Sequence, residues 1–161
     1  MTILLVDMTD ADAAILASAL RVEGFEVVNA KSAAEARQVL ASRPVALTIL
    51  DLMLRSEGGR NGLELARELR AEYPAMRVLL TSSYHLSERQ LERADCGVSG
   101  FIPKPYELRE VVDFVRAKVS APPSSRRLWC AERPSGIAPK HSLVDADVLR
   151  PVGDDVAAQR R

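Results

Sequence analysis

A chain of 161 residues, 47% of them apolar and 27% charged, is long enough for one domain with its own core. Its 22 basic and 22 acidic residues cancel, so there is no global field of the kind that draws a protein to nucleic acid or to an anionic membrane, and any charged partner has to be recognised locally. The two cysteines, Cys96 and Cys130, fit no metal-ligand spacing and are too few for a disulfide framework, and the first apolar run is too short for a signal peptide or a membrane span; the expectation is a cytoplasmic chain with no membrane association.

Short apolar runs alternate with longer segments of helical period, the pattern of a parallel sheet covered on both faces. The first run, Ile3 to Val6, is followed by apolar residues Ile15, Leu16, Ala19 and Leu20 at the spacing of one helix face, with Gly24 where a helix C-terminal glycine is favoured. Phe25 to Val28 is the second run. Ser32 and Glu35 then read as a capping box opening a helix to about Ala41, with Pro44 behind it. Val45 to Leu50 is the third run, and the helix after it, Leu63 to Glu72, places Leu65, Ala66 and Leu69 on one stripe and stops before Tyr73-Pro74. Met76 to Thr81 leads to a charge-rich segment, Ser87 to Ala94, whose thin stripe suggests a helix loosely held on the sheet. After Val98 to Ile102, the residues Leu108, Val111, Val112, Val115 and Val119 define a buried face, from which Phe114 falls away and is expected to be exposed.

Past Val119 the proline, serine and basic content of Ala121 to Arg127 is that of a linker, and the stretch to Arg161 has no sustained period. The division expected is therefore a domain over 1–119, with 120–161 a linker and a mostly unstructured tail.

In a doubly wound sheet, ligands bind beyond the carboxyl ends of the strands. Those ends carry Asp7, Asp51, Thr81 with Ser82, and Lys104-Pro105. Singly, each has a dull explanation as a cap or turn former. Together they bring two carboxylates, a hydroxyl and an ammonium to one edge, which suits phosphoryl transfer to a carboxylate: the acid is the nucleophile, and cations and donors balance the charge spread over the transferred oxygens. Lys104 and a hard divalent ion such as Mg²⁺, held by carboxylate and carbonyl oxygens, would be those cations, and Thr81 would donate to a phosphoryl oxygen.

Four blocks, Ile3-Leu4-Leu5-Val6-Asp7, Thr48-Ile49-Leu50-Asp51-Leu52-Met53-Leu54, Val78-Leu79-Leu80-Thr81-Ser82 and Gly100-Phe101-Ile102-Pro103-Lys104-Pro105, resemble in order and spacing the signature blocks of two-component response regulator receiver domains. The resemblance covers about the first 119 residues. It implies an α/β, flavodoxin-like (βα)5 fold with strand order 2-1-3-4-5. It also implies that Asp51 is the phospho-acceptor, Lys104 the lysine that pairs with the phosphoryl group, and Thr81 and Phe101 the switch residues. Mg²⁺ would be held by Asp7, Asp51 and the main-chain carbonyl of Met53, and Lys104-Pro105 would be a cis peptide bond. The partners implied are a sensor histidine kinase or phosphotransfer protein and a downstream protein target; whether the chain also forms a homodimer through its fourth-helix to fifth-helix face is left open. Such a chain is a signalling switch and not an enzyme in the usual sense.

Two departures from the family pattern stand out. Asp7 is followed by Met8 where the family has a second acid, and a thioether is a poor Mg²⁺ ligand, so Asp7 or Asp10 has to compensate or metal binding and phosphorylation are weak. The loop Arg55 to Gly62 is longer than usual and lacks the common proline; Gly58, Gly59 and Gly62 are not followed by Gly-Lys-Ser/Thr, so it reads as a flexible loop and not as a phosphate cradle.

Met8 favours a rival reading, a pseudo-receiver that has lost phosphorylation and serves as a protein-interaction module. A DNA-binding output in the tail is disfavoured, because acids dilute its arginines and no helix-turn-helix pattern is visible. A flavin or nucleotide protein of the same fold is disfavoured by the acidic, glycine-free segment after the first run. His85 and His141 read as surface residues, Cys96 as a small buried one, and Trp129 as a weak candidate anchor.

Overall fold

The structure is a computed structural model and describes residues 1–6, 10–54, 61–84, 86–94 and 97–122. Five strands and five helices alternate: β1 Thr2–Val6, α1 Asp10–Val22, β2 Glu26–Ala30, α2 Ala33–Ser42, β3 Leu47–Asp51, α3 Gly62–Glu72, β4 Arg77–Ser82, α4 Glu88–Ala94, β5 Gly100–Pro103 and α5 Leu108–Ser120. The strands form one parallel sheet in the order β2-β1-β3-β4-β5, the doubly wound order expected from the resemblance.

Each central strand is apolar without alternation because it is covered on both sides. Leu4, Val6, Leu50, Val78, Leu80 and Phe101 face a core completed by α2, α3 and α4. Their neighbours Ile3, Leu5, Ile49, Leu79 and Ile102 face the opposite core, completed by α1 and α5. Burying a Leu or Ile side chain of this kind contributes about 1.5–3 kcal/mol.

Four of the five strands begin one or two residues later than the apolar runs that announce them, while β1 begins one residue earlier, at Thr2. Val45 and Val98 are only partly buried against the core, and strand limits are set by the ladder instead: Leu47 pairs with both Ile3 and Arg77, and Gly100 with Leu79. On α1 the buried face is Ala13, Leu16, Ala17 and Leu20, spaced i, i+3, i+4 and i+7, which turns Ile15 outward to 57% exposure.

Phe114 corrects another expectation, for it is buried, not exposed. The reason is nonlocal. Gly100 on β5 lacks a side chain where a Cβ would lie 2.7 Å from the Phe114 ring, and Lys118, one turn along α5, covers that ring from 5.5 Å.

Caps fix where helices start. Ser32 accepts from the Glu35 N–H, but the Glu35 carboxylate returns to the Lys31 N–H, so the reciprocal box expected at α2 is only half made. The full box is at α3, between Asn61 and Glu64, and a similar exchange joins Ser87 and Gln90 ahead of α4. The short α4 is held by buried Leu86, Leu91 and Ala94 and by the Arg67 guanidinium of α3, whose Nε donates to the Ala94 carbonyl at 3.0 Å. No described helix is long and apolar enough to cross a membrane. Of the expected tail, Ser120 still belongs to α5, and the expectations for residues 123–161, for Cys96, for His85 and His141, and for Trp129 fall outside the described residues.

Candidate functional site

Register brings the site together. Asp51, the last residue of β3, pairs with Thr81 on β4; Thr81 pairs with Ile102 on β5, and Ser82 with Pro103, so Lys104 lies one residue beyond the same edge. The Lys104 N–H donates to the Ser82 carbonyl at 2.9 Å, which ties the start of the β5–α5 connection to the end of β4, and Lys104-Pro105 is cis, as the resemblance implies.

The Lys104 ammonium donates to Asp51 Oδ2 at 2.8 Å, with the two side chains only 14% and 17% exposed. The other carboxylate oxygen, Oδ1, accepts the Met53 N–H at 2.8 Å, a turn in which a side chain holds the backbone two residues on. The Asp51 carbonyl accepts from Leu54 N–H at 3.1 Å, and the Leu52 N–H reaches back to the Thr81 carbonyl at 2.9 Å. Asp51 is thus oriented from both oxygens and from its own backbone. A charge-assisted bond of this length in a mostly desolvated setting is among the stronger polar contacts available to a protein.

Thr81 is buried, and its hydroxyl donates to the Ile102 carbonyl at 3.0 Å. The hydroxyl is therefore engaged within the sheet in this conformation. Phe101, next to Ile102, is fully buried in the core shared with α3 and α4. Asp7, Met8 and the loop from Arg55 to Arg60, with Gly58 and Gly59, lie outside the described residues. The described residues offer a divalent ion the Asp51 carboxylate and the Met53 carbonyl, all-oxygen donors of the type that suits Mg²⁺, and no cluster of three or more acidic, histidine or cysteine ligands is found among them.

At the start of α3, Asn61 escaped the reading of the sequence, and Gly62, expected in a flexible loop, is the first residue of the helix. Asn61 caps the helix by accepting from Leu63 and Glu64 N–H, and Gly62 donates its N–H to the Leu52 carbonyl at 3.0 Å, joining α3 to the segment just after Asp51. The signal was present as Asn61 followed three residues later by Glu64.

Comparison with known proteins agrees with the fold. The family model for the response regulator receiver domain matches residues 3–116. The photosynthetic apparatus regulatory protein RegA of Cereibacter sphaeroides is 31% identical over 133 residues, which span 82% of this chain and 71% of that protein. The probable transcriptional regulatory protein TcrX of Mycobacterium tuberculosis is 29% identical over 116 residues, 72% of this chain and 48% of TcrX, so the chain spans about half the length of that relative. Among solved structures, a response regulator from Thermotoga maritima matches with a TM-score of 0.65 at 27% identity, covering 74% of this chain and 98% of that one. The non-phosphorylated HemR receiver domain from Leptospira biflexa matches with a TM-score of 0.65 at 26% identity, covering 75% and 95%. With the fold and a family match across most of its length in agreement, the chain belongs to the response regulator receiver domain family of two-component signalling.

Proposed function

We propose that this receiver is a working phospho-acceptor, with Asp51 as the residue that takes the phosphoryl group from a sensor histidine kinase or phosphotransfer protein. The observation that carries the reading is the Asp51 carboxylate held at a strand end by Lys104 on one oxygen and by the Met53 N–H on the other. In the transfer, an Asp51 carboxylate oxygen attacks the phosphorus of a phosphohistidine. The new P–O bond forms as the P–N bond breaks, and the electron pair leaves with the imidazole nitrogen, which then takes a proton. Lys104 stays beside the developing charge and balances it. Mg²⁺, held by Asp7, Asp51 and the Met53 carbonyl, would supply further neutralisation of the phosphoryl oxygens.

The response follows from the bond that Thr81 gives up. To donate to a phosphoryl oxygen its hydroxyl has to leave the Ile102 carbonyl, and Ile102 adjoins Phe101, so the change reaches the packing of β5 against α4. We read this as a population shift between two packings of the face made by α4, β5 and α5, through which the chain contacts its downstream protein target.

The test is incubation with acetyl phosphate and Mg²⁺, scored by intact mass. A metal-dependent phosphoryl adduct in the parent, absent from Asp51→Asn, supports the reading; no adduct in the parent refutes it. The second reading, a pseudo-receiver acting only as an interaction module, is favoured by Met8 beside Asp7. It predicts that the parent stays unmodified while Met8→Asp gains the adduct.

A further inference from the structure

Beyond the acceptor itself, we propose that Gly62 is a positioning residue of the site: its missing side chain lets the first turn of α3 lie directly on the Asp51–Leu52 peptide and so sets the direction in which the Asp51 carboxylate points. The proposal rests on the reading of Asp51 as phospho-acceptor for its consequence in phosphoryl transfer. Its geometry stands apart from that reading.

A Cβ at Gly62 would overlap the Asp51 carbonyl oxygen and would lie 2.9 Å from Leu52 Cα and 3.0 Å from the Asp51 carbonyl carbon. All three are backbone atoms, so no side chain can swing aside to make room. The same glycine donates its N–H to the Leu52 carbonyl at 3.0 Å. The contact therefore joins two backbones at the closest approach a residue permits, the situation in which glycine is required for space and not for its dihedral freedom.

An added methyl group has to displace one side of this contact. On the helix side, Leu63, Leu65, Ala66 and Leu69 are buried in the core, and the Asn61–Glu64 capping box fixes the first turn. On the strand side, Asp51 is the terminal residue of β3. Where the strand side yields, a rotation of the Asp51–Leu52 peptide swings the Asp51 side chain relative to Lys104. A displacement on the order of 1 Å in a reacting group lowers rates by about 100-fold.

Three proteins decide the matter: the parent, Gly62→Ala, and Gly24→Ala. Gly24 has φ +88° with open space around a Cβ, so its substitution strains the backbone near the start of β2, at the sheet edge remote from Asp51. We expect Gly62→Ala to take the phosphoryl group from acetyl phosphate about 10- to 100-fold more slowly than the parent, and Gly24→Ala to keep the parent rate within about twofold. A crystal structure of Gly62→Ala should show Lys104 Nζ and Asp51 Oδ2 separated beyond about 3.5 Å, outside hydrogen-bond reach. A Gly62→Ala protein that keeps both the parent rate and the ion pair overturns the proposal. If the parent itself takes no phosphoryl group, the acceptor reading fails, and the separation in that crystal structure alone decides whether Gly62 positions Asp51. Should Gly62→Ala not fold, Asn61→Ala loosens the same turn and Ser32→Ala removes the matching cap on α2. Slower transfer in Asn61→Ala alone upholds the proposal, and equal rates overturn it.

Discussion

Replacing Lys104 with methionine keeps an unbranched stem and removes the ammonium that faces Asp51 at 2.8 Å. The carboxylate left behind is 17% exposed and retains the Met53 N–H. Removing one partner of a buried ion pair costs about 3–5 kcal/mol; residual solvent access and the remaining N–H bring the expectation for Lys104→Met to about 2 kcal/mol. For a domain of this size that is a fall in Tm on the order of 8 °C. In Asp51→Asn/Lys104→Met neither charge is left uncompensated, so the double variant should recover part of the loss. The assay is urea unfolding of the parent, the two single variants and the double variant, read as a double-mutant cycle with an expected coupling of about 1–2 kcal/mol. Additivity within about 0.3 kcal/mol would mean that the pair is not formed in solution, and would remove Lys104 from the acceptor site.

Other predictions come from residues around the same edge and beyond it. Phe101→Ala should cost about 3–5 kcal/mol because the ring is fully buried against α3 and α4; a loss below about 1 kcal/mol in chemical denaturation would place the ring outside the core in solution. Thr81→Val keeps the shape of the side chain but removes the donor to the Ile102 carbonyl, so it should destabilise the resting protein by about 1–2 kcal/mol and leave the phosphorylated and unphosphorylated forms with nearly the same amide spectrum in β5. Large phosphorylation-linked shifts persisting in β5 of that variant would show that the hydroxyl is not the link. Arg37 on α2 bridges Glu68 and Glu72 on α3, and Glu72 above all holds its guanidinium above the ordinary arginine value. A group raised in this way loses its contribution only as pH climbs through that high value, so the bridge should not titrate through arginine at any ordinary pH. These side chains are at least one-third exposed in two of three cases, and Arg37→Ala should cost no more than about 1 kcal/mol, shrinking further in high salt.

The alternating pattern of apolar runs and amphipathic stretches was readable because a parallel sheet covered on both faces needs uninterrupted apolar strands, and the polar residues that end those strands stand out against them. Asp51, Thr81 and Lys104 could be singled out for that reason, before any distance was known. The Asp51–Lys104 contact depends on residues 53 positions apart meeting across β4, which only the sheet register determines. Phe114 was misplaced because its burial depends on an absent side chain at Gly100, far away in sequence. Ile15 was misassigned for a local reason: with Ala13, Leu16, Ala17 and Leu20 available, small alanines define the buried face of α1 and the larger residue lies off it. Gly62 was read as part of a flexible loop, since sequence alone does not reveal how closely two backbones approach.

The central claim is that an acyl phosphate forms on Asp51. The most direct measurement is borohydride trapping: the protein is treated with acetyl phosphate and Mg²⁺, the acyl phosphate is reduced, and the digested peptides are sequenced by mass spectrometry. The account predicts that the reduced residue, homoserine, is found at position 51 and is absent when phosphoryl donor or Mg²⁺ is withheld. Homoserine at another aspartate, or none at position 51 after full reaction, would contradict it.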